Sequence, residues 1–354
     1  MKKLSSNMSK NIKSFDVIIS GGGLSGSLMA LSLADLTKAD GSLLSIAIIE
    51  ASQADPVKPE VIPDKVSHEL SIAPLFDDRV LALSHASVKY LESVGVWQHI
   101  SIDACAIEKI DISDRGHYGK ARIEAQEHNV SALGYVIVMA KIGQGQLKAL
   151  ATKKNVQWFS PDTITDIDWQ PTNEPISKAT PQLDNKLCSS VDTSVINVSL
   201  SSGDMLQTSL LLACDGVNSP CRKLANIDVR KSEYQQVALI ANVATEKAHN
   251  NKAFERFTEF GPIAMLPLGA LSNSKNRCSL VWTMTAEQSE QLLSLSDSEF
   301  SKQLELVFGS WLGAVIQVGK RDVYPLVLLQ AKQQTYHRLA LVGNASHTIH
   351  PRFT

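Results

Sequence analysis

The first fifty residues contain, in order, a strand, a glycine loop, a helix, a second strand and an acidic residue. Phe15 to Ser20 is a short β-branched run typical of a buried parallel strand, and the sequence GGGLSG, a G-x-G-x-x-G pattern, follows it at once. Small and apolar residues from Leu28 to Ala34 indicate a helix, and Ser45 to Glu50 reads as a second strand ending in an acid. This order predicts a βαβ unit that holds a dinucleotide at the N-terminus of the helix.

Each glycine of the pattern has a separate physical role. Gly21 allows the tight turn, Gly23 lets the backbone approach a pyrophosphate, and Gly26 lets helix and strand pack closely. Glu50 stands 24 residues after Gly26 and can accept hydrogen bonds from an adenosine ribose. A glycine-rich turn without a ligand is the alternative. The pattern alone does not separate FAD from NAD, although its position near the N-terminus and the terminal Glu50 favour FAD.

Composition excludes several classes of protein. The chain has 354 residues, of which 44% are hydrophobic and 20% charged, so it is too apolar for a disordered tail and long enough for two domains. A formal charge of −2 provides no global basic field for binding nucleic acid. The uncharged stretch from Val17 to Ala34 holds three consecutive glycines and four serines, which make it a poor membrane span. Five cysteines without a C-x-x-C pair indicate free thiols in a reducing, cytoplasmic compartment.

Two further strand ends carry motifs. The apolar run before Cys214 predicts a strand that ends in Asp215-Gly216, followed by Ser219 and Arg222, in the pattern D-G-x-x-S-x-x-R. An ordinary Asp-Gly turn is the alternative for this element. The strand predicted from residue 338 to 342 leads into the sequence GNASHTIHP, residues 343 to 351. Between these motifs, residues 237–243, 253–258, 263–268 and 278–283 predict an antiparallel sheet.

Together these segments resemble the FAD-dependent aromatic hydroxylases, in particular the branch that hydroxylates the ring of ubiquinone precursors. Residues 76–84, 110–117, 253–267 and 277–282 also match that branch, and the resemblance extends from Val17 to Pro351. It implies an α/β fold: a Rossmann-like FAD-binding domain with a second, mostly antiparallel β-sheet substrate domain. Residues 1–105, 134–229 and 321–354 would form the FAD-binding domain, and residues 106–133 and 230–320 the substrate domain.

The resemblance also implies roles for individual residues. Arg79 would lie near the flavin and its phosphates, and Gln144 (or Gln146, if the alignment slips) would contact the ribityl chain or a phosphate from a helix start. Asn344 stands where the family usually has an aspartate bonded to the ribityl chain, so the hydrogen bond is kept and the charge is lost. The predicted cofactor-binding residues are Gly21, Gly23, Gly26, Glu50, Arg79, Gln144, Asp215, Gly216, Arg222, Gly343 and Asn344.

No catalytic side chain or metal ligand is predicted. Asp114, Arg115 and His117 resemble a catalytic charge cluster, but they are expected to shape a turn. His347 and His350 lie three residues apart without an acidic third ligand nearby, which does not favour a metal. In the family, NAD(P)H reduces FAD and O₂ forms a flavin C4a-hydroperoxide, whose distal oxygen attacks an electron-rich ring, so the cofactor carries the difficult chemistry.

The resemblance implies a polyprenylated phenol as substrate. Its apolar tail implies peripheral contact with the inner face of the cell membrane, or with other ubiquinone-biosynthesis proteins. Two alternatives stay open: a related hydroxylase acting at another ring position or on a soluble aromatic acid, and an FAD fold without turnover. The second arises because the family continues past the His-x-x-x-Pro element with a glycine-rich loop against the flavin ring, whereas this sequence ends at Thr354. An early stop, a frameshift or a partial gene is expected, with weak FAD binding and poor turnover.

Overall fold

The computed structural model describes residues 12–53, 79–169, 195–270 and 276–348. Its seven described helices are α1 (Leu24–Ala34), α2 (His85–Ser93), α3 (Trp97–Ile100), α4 (Met139–Leu150), α5 (Pro220–Leu224), α6 (Ala286–Ser294) and α7 (Asp297–Phe308). Short 3₁₀ turns cover Ser101–Asp103, Ala125–His128 and Gly343–Ala345.

Strands make up most of the remaining regular structure. The described strands are β1 (Lys13–Ser20), β2 (Ile46–Ile49), β3 (Val80–Ser84), β4 (Cys105–Ile107), β5 (Lys109–Asp114), β6 (Lys120–Glu124), β7 (Gly134–Val138), β8 (Val156–Phe159), β9 (Ile164–Asp168), β10 (Ile196–Leu200), β11 (Met205–Ala213), β12 (Val229–Thr245), β13 (Lys252–Phe257), β14 (Ile263–Leu268), β15 (Arg277–Thr285), β16 (Val315–Val318), β17 (Asp322–Ala331), β18 (Thr335–Tyr336), β19 (Leu339–Leu341) and β20 (His347–Thr348).

The described residues divide into two compact units. Unit 1 holds residues 12–53, 150–169, 195–230 and 329–348, and unit 2 holds residues 79–149, 231–270 and 276–328. The predicted FAD-binding domain included residues 79–105 and 134–149, which the contacts group with unit 2 because β7 pairs with both β3 and β4 in a three-stranded sheet. Which residues belong functionally to the FAD-binding domain and which to the substrate domain stays a prediction.

Unit 1 is built on a parallel sheet whose central strand is β1. The strand order is β18-β19-β11-β1-β2-β8, and the pairs β19–β11, β11–β1, β1–β2 and β2–β8 are all parallel. Residues Val17 to Ile19 of β1 and all four residues of β2 are buried, as expected for parallel strands covered on both faces. Strands β9 and β10 form an antiparallel pair that extends the sheet from β11.

Unit 2 is built on a larger, mostly antiparallel sheet. Strands β12, β15, β14 and β13 are neighbours in antiparallel pairs, and β5 and β6 continue the sheet from β13. Helices α6 and α7 each begin with a complete capping box, at Thr285 and Ser296. The helical spacing of Phe300, Leu304, Val307 and Trp311 in the sequence predicts one helix that carries all four as core residues. The first three lie on α7 and are buried against the sheet.

The prediction placed Trp311 on the same helix, and this was wrong. Helix α7 ends at Phe308, because the next residue, Gly309, has φ +99°, a backbone conformation that the helix cannot continue through. Trp311 follows in the loop, with its ring centroid 5.7 Å from that of Phe254. Within the part of the chain that the structure describes, no helix is both long and apolar enough to cross a membrane; the uncharged stretch from Val17 to Ala34 forms the end of β1, the glycine loop and α1.

Candidate functional site

The glycine loop joins the carboxyl end of β1 to the start of α1. Gly21 has φ +94°, and a Cβ there would lie 2.5 Å from the carbonyl oxygen of Cys214. A Cβ on Gly26 would lie 1.8 Å from the carbonyl oxygen of Gly21, so only glycine fits between helix and loop. A Cβ on Gly23 would meet nothing within 4 Å. The backbone at the helix N-terminus is therefore open to a ligand at Gly23, where the sequence predicted the approach of a pyrophosphate.

Glu50 ties this loop to the carboxyl end of β2. Its Oε2 accepts a hydrogen bond from the backbone N–H of Gly22 (2.7 Å), and its Oε1 accepts from the N–H (2.9 Å) and the hydroxyl (2.6 Å) of Ser52. The side chain is buried. A carboxylate offers about four lone-pair positions, so acceptor capacity for ribose hydroxyls remains.

The loop after β11 is held by two hydrogen-bond anchors. Asp215 Oδ2 accepts from the backbone N–H of Cys221 (3.0 Å). The buried guanidinium of Arg222 donates to the carbonyl oxygens of Val217 and Ala345, both at 2.7 Å. Arg222 thus links the Asp215 loop to the turn that carries Asn344. The geometry makes Arg222 a positioning residue, and its predicted place among the cofactor-binding residues stays a prediction.

The predicted residues of unit 1 meet at one edge of the parallel sheet. Strands β19, β11, β1 and β2 are neighbours and point the same way, so the segments that follow them emerge side by side. Gly343 has φ +59°, and a Cβ there would lie 2.8 Å from the hydroxyl oxygen of Ser25, at the start of α1. Asn344 beside it is exposed. The carboxyl edge of an open α/β sheet is where such folds bind their ligands.

Two predicted residues, Arg79 and Gln144, belong to unit 2. The guanidinium carbon of Arg79 lies 5.1 Å from the ring centroid of Tyr324, a cation–π contact. The sequence also allows a surface ion pair of Arg79 with Asp77 or Asp78, which lie outside the described residues. Gln144 was expected at a helix start, and this was wrong. Helix α4 begins at Met139, because the helical pattern continues directly from the end of β7, so half-buried Gln144 lies in its second turn.

The charged run after β5 forms an exposed turn. His117 Nδ1 lies 2.9 Å from Asp114 Oδ2, and Arg115 pairs with Glu259 at 3.2 Å. The side chains of Asp114 and His117 are more than half exposed. Over the ranges that the structure describes, no group of three or more His, Cys, Asp or Glu side chains is arranged to hold a metal ion; His350 lies outside those ranges.

Three observations show that the carboxyl edge of the parallel sheet in unit 1 is suited to hold FAD. Space is open beside Gly23, Glu50 keeps acceptor capacity at the end of β2, and the buried Asp215 Oδ1 has no hydrogen-bond partner among the described residues. Buried carboxylate oxygens normally have a partner, so Asp215 Oδ1 suits a ligand hydroxyl or a water held by one. Sequence reasoning missed Ser52 and Trp158. A Cβ on Gly22 would lie 2.5 Å from the ring of Trp158, a contact between distant segments that no motif spacing reveals.

Replacing Glu50 with alanine should weaken FAD binding about tenfold and lower the free energy of unfolding by about 2 kcal/mol. The substitution leaves the buried N–H of Gly22 without its acceptor, at a cost of roughly 1–3 kcal/mol. Urea unfolding and FAD titration measure the two effects. Glu92→Ala, which removes an exposed carboxylate on α2, is the control. Unchanged stability in Glu50→Ala would contradict the anchoring role.

Three described cysteines are expected to be unreactive: Cys214 and Cys221 beside the Asp215 loop of unit 1, and Cys278 on β15 of unit 2. Burial, reinforced by the charge of Asp215, raises the pKa of Cys214 to about 12 and that of Cys221 well above its usual value; burial also raises the pKa of Cys278 to about 12. A raised pKa keeps a thiol protonated, and the thiolate is the reactive form. Iodoacetamide at pH 8 should therefore spare these three residues in the native protein and modify them in urea, as peptide mass spectrometry would show. Modification of native Cys214 at the rate seen in urea would contradict this.

The four described cysteines, Cys105, Cys214, Cys221 and Cys278, are all free thiols, as predicted; Cys188 lies outside the described residues.

Comparison with known proteins agrees with this geometry. Residues 188–353 match the FAD binding domain family. The chain is 30% identical to the ubiquinone hydroxylase UbiL of Rhodospirillum rubrum, over 95% of this chain and 67% of that protein. It is 28% identical to the human mitochondrial ubiquinone biosynthesis monooxygenase COQ6 (95% and 72%) and 26% identical to the 3-demethoxyubiquinol 3-hydroxylase of Escherichia coli (95% and 74%).

Solved structures show the same fold. The p-nitrophenol 4-monooxygenase PnpA of Pseudomonas putida superposes with a TM-score of 0.64 at 15% identity, covering 96% of this chain and 75% of that one. PqsL of Pseudomonas aeruginosa superposes with a TM-score of 0.67 at 17% identity, covering 96% and 81%. The predicted α/β fold, with a Rossmann-like unit and a mostly antiparallel second sheet, is confirmed.

Proposed function

This chain belongs to the family of FAD-dependent ubiquinone hydroxylases, and we propose that it hydroxylates the ring of a polyprenylated phenol in ubiquinone biosynthesis. The protein is an FAD-dependent aromatic monooxygenase. We propose NAD(P)H and O₂ as its co-substrates. The observation that carries the proposal is the meeting of the glycine loop, Glu50, the Asp215 loop and the Gly343–Asn344 turn at one sheet edge. Three sequence motifs far apart in the chain thus serve one cofactor.

Each group at this edge has a proposed part in holding FAD. The open backbone at Gly23 and the N-terminus of α1 would receive the pyrophosphate, because the helix dipole favours an anion there. Glu50 would accept from the ribose, and Asn344 would bond a ribityl hydroxyl. Asp215 Oδ1 would accept a hydrogen bond from the ligand or from a water bound to it. Gly216 shapes the same loop with φ +80°.

The chemistry proposed for the bound cofactor limits what the protein must supply. FAD, when bound, supplies the transfer of electrons from NAD(P)H to O₂ and the delivery of one oxygen atom to the ring. The protein then needs to position the ring, exclude water and hold the cofactor, and an added nucleophile is not required. We propose that Arg79 and Gln144 serve the cofactor from unit 2, and that the apolar tail of the substrate brings the protein to the inner face of the cell membrane or to other ubiquinone-biosynthesis proteins.

Cofactor binding is tested by the absorbance spectrum of the purified protein after FAD is added and excess removed. We expect the two visible bands of a bound flavin, and we expect Gly23→Ala to need about tenfold more FAD, or more, to show them. Protein that stays colourless in the presence of FAD would contradict the proposal at its first step.

Substrate choice is tested by NAD(P)H oxidation in the presence of prenylated phenols and of soluble aromatic acids. A prenylated phenol should stimulate oxidation and yield a product one oxygen atom heavier, whose ring position mass spectrometry and NMR would assign. If soluble benzoates alone stimulate NAD(P)H oxidation, the substrate is a soluble aromatic acid and the proposal of a prenylated phenol is wrong.

A further inference from the structure

One face of three neighbouring strands in unit 2 carries many cations. Strands β13, β5 and β6 lie side by side, and their register places residues of the same face in three rows. We call this set the basic face. Its first row is Arg256, Ser113 and Lys120, its second row is Phe254, Asp111 and Arg122, and its third row is Lys252, Lys109 and Glu124. Five of these nine side chains are cations and two are carboxylates, so the face has a surplus of positive charge.

The two carboxylates are already paired. Asp111 lies between Lys252 Nζ (3.1 Å) and Arg122 Nε (3.3 Å), and Glu124 pairs with Lys109 Nζ at 2.9 Å. These pairs lie in the second and third rows. They account for the negative charge on the face and leave the first row without a carboxylate.

The first row places a serine between two cations. Arg256 and Lys120 are the direct cross-strand neighbours of Ser113, and neither forms an ion pair within 4.0 Å with any residue that the structure describes. The ring centroid of Trp311 lies 5.6 Å from Lys120 Nζ and 4.9 Å from the guanidinium carbon of Arg256. An aromatic ring attracts these cations without neutralising them. The positive charge of the row is therefore uncompensated.

Ser113 supplies the second, independent observation. Its side chain is 5% exposed, and its hydroxyl has no hydrogen-bond partner among the described residues; the same holds for Arg256 Nε. Buried donors are normally satisfied, because an unsatisfied one loses its hydration without compensation. Two donors that lack acceptors, in a row of unpaired cations, favour an acceptor that is an anion.

A cavity opens on the same face. It has a volume of about 320 Å³ and is lined by Ser113, Lys120, Arg122, Lys252 and Asp111, with Phe254 and Trp311 as aromatic walls. Three cations against one carboxylate leave the lining with two surplus positive charges. The volume lies at the lower end of the range of small-molecule sites, about 300–1,000 Å³, so the ligand must be small.

We propose that this cavity binds the phosphate group of a small organic phosphate. A phosphate carries up to two negative charges and several acceptor oxygens, which match the surplus charge and the Ser113 hydroxyl. The aromatic walls provide an apolar surface for the organic part. The same phosphate chemistry occurs in a free metabolite and in the headgroup of a membrane lipid. The site lies among residues of unit 2.

Calorimetric titration with glycerol 3-phosphate, at constant ionic strength set with sodium chloride, tests the site. We expect saturable one-site binding that Lys120→Gln weakens at least tenfold. Ser113→Ala should also weaken binding several-fold, while leaving the thermal melting temperature unchanged or higher, because it removes an unsatisfied buried hydroxyl. Lys302→Gln on α7, which removes an exposed lysine elsewhere in the same unit, is the matched control and should bind as the parent does.

Vesicle sedimentation distinguishes the two sources of the phosphate. Binding to phosphatidylcholine vesicles containing phosphatidic acid, displaced by glycerol 3-phosphate and lost in Lys120→Gln, would assign the lipid headgroup. Saturable binding of glycerol 3-phosphate without vesicle binding would assign a free metabolite. Absence of saturable binding, or equal weakening by Lys120→Gln and Lys302→Gln, would overturn the proposal and reduce the basic face to a set of surface ion pairs.

Discussion

Replacing Gly26 with alanine is expected to abolish FAD binding and to lower the free energy of unfolding by about 3 kcal/mol or more. A Cβ at this position would lie 1.8 Å from the carbonyl oxygen of Gly21 and 3.3 Å from Cβ of Cys214. Both contacts involve well-fixed atoms, so helix α1 and the glycine loop must separate. Overpacking of this kind typically costs 1–3 kcal/mol, and more when backbone has to move. Urea unfolding and FAD titration measure both losses.

Gly23→Ala is the matched comparison in the same loop. Gly23 has φ −66°, which alanine adopts readily, and its Cβ would meet nothing in the protein within 4 Å. Stability should therefore stay within about 0.5 kcal/mol of the parent, as for substitutions that touch no special feature. FAD affinity should nevertheless fall by about tenfold or more if the pyrophosphate approaches this backbone. Unchanged FAD affinity in Gly23→Ala would contradict the proposed position of the pyrophosphate.

The second large effect is expected at Arg222. Arg222→Ala should lower the free energy of unfolding by about 3 kcal/mol, because the carbonyl oxygens of Ala345, in a buried hydrogen bond, and of Val217, in a partly buried one, both lose a charged donor. FAD affinity should fall with it, since the turn carrying Asn344 is no longer tied to the Asp215 loop. Arg222→Lys keeps the charge but cannot donate from a planar fork to both oxygens, so an intermediate loss is expected.

Lys223→Ala provides the control for Arg222. Lys223 is the next residue on the same short helix α5, and it is exposed. Its removal should change stability by less than about 0.5 kcal/mol. Urea unfolding of all three variants measures the comparison. Similar stability of Arg222→Ala and Lys223→Ala would show that the hydrogen bonds from Arg222 to the two carbonyl oxygens do not stabilise the site.

The sequence motifs predicted most of the segments that meet at the carboxyl edge of the parallel sheet, because each motif reflects a local requirement. A positive φ at Gly21, or a helix that must pass within contact of a loop at Gly26, admits only glycine, and this restriction is visible in one segment of chain. The ends of β1, β2 and β11 were predicted from buried apolar runs that stop at a turn. The predicted helix start beside Gln144 was wrong because Val138, which precedes α4, is not a capping residue that would mark the start, and β7 leads into the helix directly.

By itself, the sequence determined that β1, β2 and β11 are strands, where the glycine loop lies, and that an acid follows β2, since these depend on backbone sterics and on runs of apolar residues. Only the tertiary structure decided that β19 lies beside β11, that Arg222 reaches the carbonyl of Ala345, and that Arg256, Ser113 and Lys120 form one row. These relations join residues far apart in the chain. They depend on strand order and register, which the packing of the whole core selects.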